Sequence, residues 1–176
     1  MTARLPRLGA LAVLLGTASG CIATHPRTGP PPPAPPFYPE VFFEGHTRGL
    51  GTLDVRGKAP EVVRVEGFGE AEPDGTFRLD QTVTHADGRS EARTWRMRRL
   101  DTTHYTATLT DAEGEVTAEV VGSELFIRYR IGSPSVTMRQ HLILEPGGQR
   151  ALNLSTVRVL GIPWARLNEQ IQRVDG

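Results

Sequence analysis

The stretch that decides the fold runs from Pro73 to Leu100 and reads PDGTFRLDQTVTHADGRSEARTWRMRRL. Two turn signals, Pro73-Asp74-Gly75 and Ala86-Asp87-Gly88, bracket a segment in which apolar and polar residues alternate. Proline, aspartate and glycine favour tight turns, because they supply a preset φ, a local side-chain hydrogen bond and a positive φ respectively. A period of two places alternate side chains on opposite faces of a strand. The stretch therefore predicts antiparallel hairpins.

The same pattern extends from Arg48 to Leu160. Short alternating segments are separated by turn residues at intervals of about 10–13 residues, which gives about nine strands. A meander of this kind suits an antiparallel sheet that closes on itself and so removes its exposed edges. No helical period lasts long enough to indicate βαβ units. We therefore predict an all-β fold, an antiparallel up-and-down barrel of about 8–10 strands.

The last segment, residues 163–174, has two interpretations. As a helix it would present Trp164, Leu167, Ile171 and Val174 as one apolar stripe, with Pro163 in the first turn. As a strand it would place Ala165, Leu167, Glu169 and Ile171 on one face. The residue pattern alone leaves both open.

The N-terminal residues predict a targeting signal. An apolar run from Leu8 to Thr17 follows Arg4 and Arg7 and ends at Ala18-Ser19-Gly20-Cys21. A basic start, a short apolar stretch and small residues describe a signal peptide, here residues 1–20. The run is too short to span the roughly 30 Å of a bilayer core.

Cys21 is the single cysteine of the chain. A cysteine directly after the small residues resembles a bacterial lipoprotein signal, which implies lipid attachment at Cys21 and a membrane anchor. The alternative is an ordinary signal peptide followed by an incidental cysteine. By resemblance to Gram-negative lipoprotein sorting, Ile22 in place of an aspartate implies the periplasmic face of the outer membrane.

Residues 21–39 predict a tether, and residues 40–176 a single barrel domain. The tether contains Pro30-Pro31-Pro32-Pro33-Ala34-Pro35-Pro36, which favours an extended polyproline II conformation because proline fixes φ and donates no backbone hydrogen bond. A plain spacer is one interpretation, and a ligand for a proline-recognition module is the other.

Composition argues against several classes of function. The chain has 20 basic and 20 acidic residues, and loss of residues 1–20 would leave a net charge of −2. A weakly acidic domain gives no reason to expect nucleic-acid binding. One cysteine forms no internal disulfide and supplies no cysteine-rich metal framework. We expect a monomer.

The sequence offers no catalytic or metal motif. The histidines (His25, His46, His85, His104 and His141) have no partner at metal-ligand spacing on the same face, and His85 and His104 are interpreted as turn or surface residues. No Gly-x-Ser-x-Gly elbow and no phosphate-binding loop is present. We therefore expect no enzyme activity, metal or cofactor.

One predicted strand face mixes charge with aromatic area: Glu91, Arg93, Trp95 and Met97. If it points inward, Arg93 needs a partner, because an isolated buried charge is costly. Glu44 or Glu91 would neutralise the guanidinium, and Trp95 would stack on it. The neighbouring run from Arg96 to Arg99 is interpreted as a solvated face, with contact to anionic lipid as the alternative.

The inward face has two interpretations. One is a plug that fills an end of the barrel. The other is a polar anchor for a ligand head group, with an apolar wall beside it. The candidate ligand-binding residues are Arg93, Trp95, Tyr105, Leu125, Ile127 and Tyr129.

From Phe43-Glu44-Gly45 onward, the chain resembles the uncharacterised lipocalin-like lipoproteins of proteobacteria, a domain-of-unknown-function family. The resemblance continues through Gly49, Gly51, Asp54-Val55-Arg56-Gly57, Arg93-Thr94-Trp95-Arg96, Tyr105-Thr106-Ala107 and Asn153. It implies a lipocalin-like barrel with a closing C-terminal strand, and structural roles for Phe43, Glu44, Gly45 and Gly51.

These observations predict a membrane-anchored periplasmic lipoprotein whose barrel binds a small hydrophobic or lipid-like ligand. The alternative is a non-enzymatic envelope scaffold with a filled barrel. Cavity size separates the two.

Overall fold

A computed structural model describes residues 33–174, and within them the chain forms one short helix and ten strands. The predicted signal peptide, Cys21 and the first part of the tether lie outside the described residues. The elements are α1 Pro39–Phe42, β1 Gly45–Val55, β2 Glu61–Ala71, β3 Phe77–Thr84, β4 Ser90–Arg99, β5 His104–Leu109, β6 Ala112–Val121, β7 Glu124–Ile131, β8 Ser133–Leu144, β9 Arg150–Val159 and β10 Ile162–Val174.

The strands form a closed antiparallel barrel in which each strand pairs with its neighbours in sequence and β1 pairs with β10. The predicted all-β, up-and-down architecture is confirmed. Inward positions alternate with outward ones, as in β7, where Leu125, Ile127 and Tyr129 are buried. Residues 33–174 contain all the pairings that close the barrel, so this part of the chain is structurally self-contained.

The C-terminal segment is strand β10, and the helical interpretation is wrong. β10 pairs with β9 on one side and with β1 on the other. A helix there would leave both neighbours with unpaired edges, and this cost outweighs a local helical stripe. A register shift between Pro163 and Ala165 lets the strand bend at its start. The strand that the family resemblance implied is confirmed.

One end of the barrel is closed by the segment Phe37–Phe43, which includes α1. The rings of Phe37 and Phe42 lie 5.1 Å apart, and those of Phe42 and Phe43 lie 4.9 Å apart. All three side chains are buried in the main core. The sequence analysis did not predict this plug, because a four-residue helix leaves no periodic signal.

Polar contacts fasten the plug to the barrel wall. Arg99 forms an ion pair with Glu40 at 2.5 Å and lies over the ring of Tyr38 at 4.2 Å. The Tyr105 hydroxyl donates to the Glu40 carboxylate at 2.9 Å. Arg173 donates to the carbonyls of residues 41 and 42. The closed end is therefore held by both aromatic packing and charge.

Glycines fit the plug to the first two strands. Gly45 has φ +78°, a left-handed conformation that lets the chain turn from the plug into β1. At Gly69 a Cβ would overlap the carbonyl oxygen of Phe43 and the ring of Phe77. Phe43 and Gly45 therefore lie where the plug meets the first two strands.

No helix within the described residues has the length and apolar character needed to cross a bilayer.

Candidate functional site

A cavity of about 230 Å³ lies inside the barrel at the end opposite the plug, which we call the open end. Its walls are mostly apolar. They come from the second halves of β1, β3 and β9 and from the first halves of β2, β4, β8 and β10, which meet at this end of the antiparallel barrel. The apolar lining residues are Leu53, Val63, Val65, Val83, Met138, Val157, Ala165 and Leu167. The polar ones are His85, Glu91, Arg93, Asp111, Ser155 and Arg166.

Arg93 is the cation on the inner wall of this cavity. Its Nε donates to the side-chain oxygen of Gln81 at 2.9 Å, and the indole N–H of Trp95 donates to the same oxygen at 2.9 Å. Among the described residues, its terminal nitrogens make no hydrogen bond and no ion pair. They are the groups that a ligand anion would meet.

The expected partners of Arg93 are wrong. Glu44 is exposed next to the plug, and Glu91 is exposed at the rim, where its carboxylate lies 3.8 Å from His85. The Trp95 ring packs edge-on against Tyr129 at 5.5 Å instead of stacking on the guanidinium. A neutral amide, Gln81, takes the hydrogen-bonding role assigned to a carboxylate, and Arg93 forms no ion pair among the described residues.

A buried carboxylate, Glu169, lies midway along the barrel. Its exposed fraction is 3%, and its Oε2 accepts a hydrogen bond from the Asn153 amide at 2.9 Å. Ser155 in turn donates to the Asn153 side-chain oxygen at 2.8 Å. Burial raises the pKa of Glu169, while the Asn153 hydrogen bond and the charge of Arg93 oppose that rise.

Glycine makes room for this carboxylate. A Cβ at Gly49 would overlap the Glu169 carboxylate, and one at Gly51 would lie 2.9 Å from the backbone oxygen of Asn168. The side chain of Glu169 therefore occupies interior space that β1 leaves free. At Gly51 the absence of a side chain lets β1 lie close to β10.

Tyr129 and Gln140 extend the polar layer across the barrel. The Gln140 amide donates to the Tyr129 hydroxyl at 3.0 Å. Burial raises the pKa of Tyr129 to about 12. Its hydroxyl is therefore a neutral hydrogen-bonding group at physiological pH.

The structure brings some of the predicted ligand-binding residues together and separates others. Arg93 lines the cavity, and Trp95 and Tyr129 pack beneath it in the middle of the barrel. Ile127 and Leu125 lie further towards the closed end, within the packed core. Tyr105 is bonded to the plug through Glu40 and Arg99. The closed half of the barrel is therefore filled, and the open half contains the cavity.

The buried polar layer of Gln140, Asn153 and Glu169 was not predicted from the sequence. A signal was present, because the strand interpretation already placed Glu169 on one face with Ala165, Leu167 and Ile171. A carboxylate on an otherwise apolar face indicates a buried polar partner. The partner, Asn153, occupies the equivalent inward position between Ala151 and Ser155 on the adjacent strand.

The described histidines each pair with a carboxylate. His85 flanks the β3–β4 turn, contacts Glu61 at 3.1 Å and is half-buried at the cavity wall. The other pairs lie on the outside of the barrel: His46 with Glu66, His104 with Asp101 and His141 with Glu124. Among residues 33–174, no group of three or more His, Cys, Asp or Glu side chains is arranged to hold a metal ion.

Comparison with solved structures shows the same fold in distant proteins. The S-type phycobiliprotein lyase CPES from Guillardia theta matches with a TM-score of 0.61 at 7% identity, covering 78% of this chain and 91% of the lyase. Rv2717c from M. tuberculosis matches with a TM-score of 0.56 at 13% identity, covering 79% and 99%.

A third structure, a Nostoc punctiforme protein of unknown function from the DUF3598 family, matches with a TM-score of 0.60 at 13% identity. The match covers 81% of this chain and 51% of that protein. At these identities the likeness concerns the fold alone. The lipocalin-like barrel that the sequence implied is confirmed.

Comparison of the sequence with family profiles gives a match over residues 17–172 to a family described as "protein of unknown function (DUF3833)". A comparison with curated proteins found no significant match.

Substitution Glu169→Gln is expected to stabilise the protein at pH 8 and to do so progressively less towards pH 4.5. A folded-state pKa raised above the unfolded value means that the folded chain holds the proton more tightly, so stability falls as pH rises through the folded pKa. The glutamine side chain does not ionise, so this loss of stability is absent in Glu169→Gln. Urea denaturation of the wild-type and Glu169→Gln proteins between pH 4.5 and pH 8 measures the difference in free energy of unfolding.

The control for this prediction is Glu119→Gln on the outer face of β6, where the side chain is exposed. A stability gain at pH 8 that is no larger than the gain at pH 4.5, or that equals the effect at Glu119, would contradict the prediction.

Proposed function

The chain belongs to the DUF3833 family of proteins of unknown function, and we propose that it is a membrane-anchored periplasmic lipoprotein whose barrel binds a small amphipathic anion at its open end. The observation that carries the proposal is the 230 Å³ cavity with mostly apolar walls and the half-buried Arg93 on its inner wall. A pocket of this kind, largely apolar with few directed polar groups, is the usual form of a small-molecule site.

The shape and charge of the cavity define the class of ligand. Its volume is below the roughly 300–1,000 Å³ of drug-sized pockets, so it suits a single short apolar chain. The terminal nitrogens of Arg93 suit a carboxylate or phosphate, to which a guanidinium donates two parallel hydrogen bonds. A medium-chain fatty acid has both features.

The polar groups around Arg93 support binding rather than catalysis. Gln81 accepts from both Arg93 and Trp95, which fixes the guanidinium in one orientation. Orienting a donor is what a binding site requires. We therefore propose a binding protein and not an enzyme.

A second candidate, an envelope scaffold with a filled barrel, is favoured by the closed half of the molecule. The plug residues and the inward side chains of β5–β7 pack into one core. The two candidates differ only in what the open half does.

The proposed anchor suits this arrangement. The described end of the tether joins the barrel at the closed end, where the Phe37 backbone N–H donates to the Gly122 carbonyl at 2.9 Å. The described end of the tether therefore meets the barrel at the end away from the cavity.

Filling the cavity is expected to abolish ligand binding. Val63 and Val62 are adjacent on β2, but Val63 points into the cavity and Val62 points to solvent. Val63→Phe should weaken binding of a fluorescent fatty-acid probe at least about tenfold, because the added ring takes the space of the chain. Val62→Phe should leave binding unchanged.

The same proteins are examined by native mass spectrometry with lipid extraction. Repeated absence of any copurifying apolar molecule from the wild-type chain, together with no probe binding, would exclude the ligand-binding proposal and favour the scaffold.

Removing the charge of Arg93 is expected to affect anionic ligands selectively. Arg93→Met should weaken decanoate binding about tenfold, which corresponds to roughly 1.4 kcal/mol for one charge-assisted interaction, and should leave decanol binding unchanged. Calorimetric titration of both ligands measures the difference. Arg128→Met, on the exposed outer face of β7, is the matched control. Equal losses for acid and alcohol would refute the head-group assignment.

Replacing the proposed lipid-bearing residue is expected to release the protein. Cys21→Ser should move the full chain from the membrane fraction to the soluble periplasmic fraction and change its mobility on a gel, because no lipid would be attached. Thr24→Ser, three residues further on, should stay with the membranes. A Cys21→Ser protein that remains membrane-bound at unchanged size would disprove the anchor.

A further inference from the structure

The rim of the open end carries an exposed apolar tip at the β9–β10 hairpin. Val159 pairs with Ile162, so Leu160 and Gly161 alone form the turn. Leu160 is 79% exposed, Ile162 56% and Trp164 46%. We call these three residues the apolar tip. Three large apolar side chains at alternate positions of one protruding turn are unusual for a surface that faces only water.

Leu160 is in a conformation that its residue type disfavours. It has φ +50°, and it is the only non-glycine residue with positive φ among the described residues. Two-residue turns with positive φ at both positions favour Asn-Gly, and a leucine there costs on the order of 1 kcal/mol. Leu160 is outside the core, and its turn does not require a leucine.

Cations surround the apolar tip. Arg56, Lys58, Arg158 and Arg166 lie on the tip strands or on the adjoining β1–β2 turn. Across residues 33–174, none of the four forms an ion pair, and Asp54, in register with Arg166, makes none with it. Arg158 instead donates to the Gly161 carbonyl at 3.0 Å, and Arg56 lies 6.0 Å from the Trp164 ring.

Three arginines of β4 near the closed end differ from these cations because each forms an ion pair. Arg96 pairs with Glu72 at 2.5 Å, Arg98 with Asp74 at 3.3 Å, and Arg99 with Glu40. This agrees with the interpretation of that run as a balanced solvated face. Other arginines without an ion pair among the described residues, such as Arg128, Arg130 and Arg139, lie on the outer walls of β7 and β8, so the apolar tip is distinguished by having unpaired cations beside exposed apolar side chains.

We propose that the apolar tip and its four cations dock the open end onto a lipid bilayer that contains anionic lipids. Apolar side chains that enter the acyl boundary, together with cations that meet phosphate groups, are the two components of interfacial membrane binding. Tryptophan is favoured at that depth because its ring is amphipathic. The tip is a convex turn, which suits a fluid lipid surface better than it suits a protein groove.

This inference goes beyond the proposed function and does not depend on a ligand in the cavity. The tether joins the closed end, so docking through the tip is a second contact with lipid, separate from the anchor at Cys21. It would bring the mouth of the cavity against the bilayer.

Vesicle flotation tests the proposal with the chain from Pro33 to Gly176, which contains the plug and all the strand pairings that close the barrel. We expect this chain to float with phosphatidylcholine vesicles that contain phosphatidylglycerol, and to float much less with phosphatidylcholine alone. Binding should fall as salt is raised, because exposed charges are screened. Brominated lipids should quench Trp164, whereas Trp95 is buried at 3% exposure and should not respond.

Leu160→Asn separates docking from folding. Asparagine suits the turn, so this chain should melt at the same or a higher temperature while its vesicle binding falls about tenfold. Leu100→Asn, at an exposed leucine on the β4–β5 connection of the closed end, is the matched control and should bind normally. Arg158→Gln with Arg166→Gln should remove the preference for anionic lipid, whereas Arg96→Gln should not.

Two results would overturn the proposal. One is equal binding to neutral and anionic vesicles with no effect of Leu160→Asn. The other is no vesicle binding together with a concentration-dependent dimer that Leu160→Asn dissociates, which would identify the tip as a contact between copies of this chain.

Discussion

The barrel depends on the ladder between β1 and β10, because it joins the first strand to the last and leaves neither with a free edge. The register of the same ladder also determines where the Glu169 carboxylate lies in the interior. In its register Gly51 lies opposite Glu169, and Gly49 leaves the space that the carboxylate occupies. Closure with any larger residue at Gly49 would force the carboxylate to move. The position of the buried charge and the closure of the sheet therefore follow from one register.

The polar layer explains why one barrel is filled at one end and open at the other. Glu169, Asn153, Gln140 and Tyr129 hydrogen-bond to one another in pairs, so their polar atoms are satisfied across the interior. Aromatic side chains of the plug fill the space on one side of this layer. On the other side the walls are made of smaller residues such as valine and alanine, which do not reach across the barrel. Close packing ends at the layer, and the remaining space is the cavity.

The architecture was predictable from local pattern, but several details were not. Alternation from Phe77 to Val83 and the turns at Gly75 and Gly88 predicted hairpins correctly, because a period of two and turn chemistry are local properties. The local pattern could not decide whether β10 is a strand or a helix, because its strand conformation depends on pairing with β1. The partner of Arg93 was missed for the same reason: Gln81 lies opposite on β3, and the choice between it and a carboxylate depends on register and depth. The plug has no repeating pattern at all.

The distribution of charge along the barrel axis connects the cavity to the proposed docking. Arg96 and Arg99 at the closed end form ion pairs, whereas the four cations around Leu160 form none among the described residues. An anionic surface would therefore attract the apolar tip. For an apolar ligand, transfer into water costs about 0.8 kcal/mol for each methylene group. If the mouth of the cavity rests on a bilayer, the ligand is exposed to water for less of its path. Its apolar tail can pass directly from the acyl tails of the lipids to the valine-lined wall of the cavity. Docking through Leu160 would thus lower the free-energy barrier for a ligand that enters the cavity lined by Arg93.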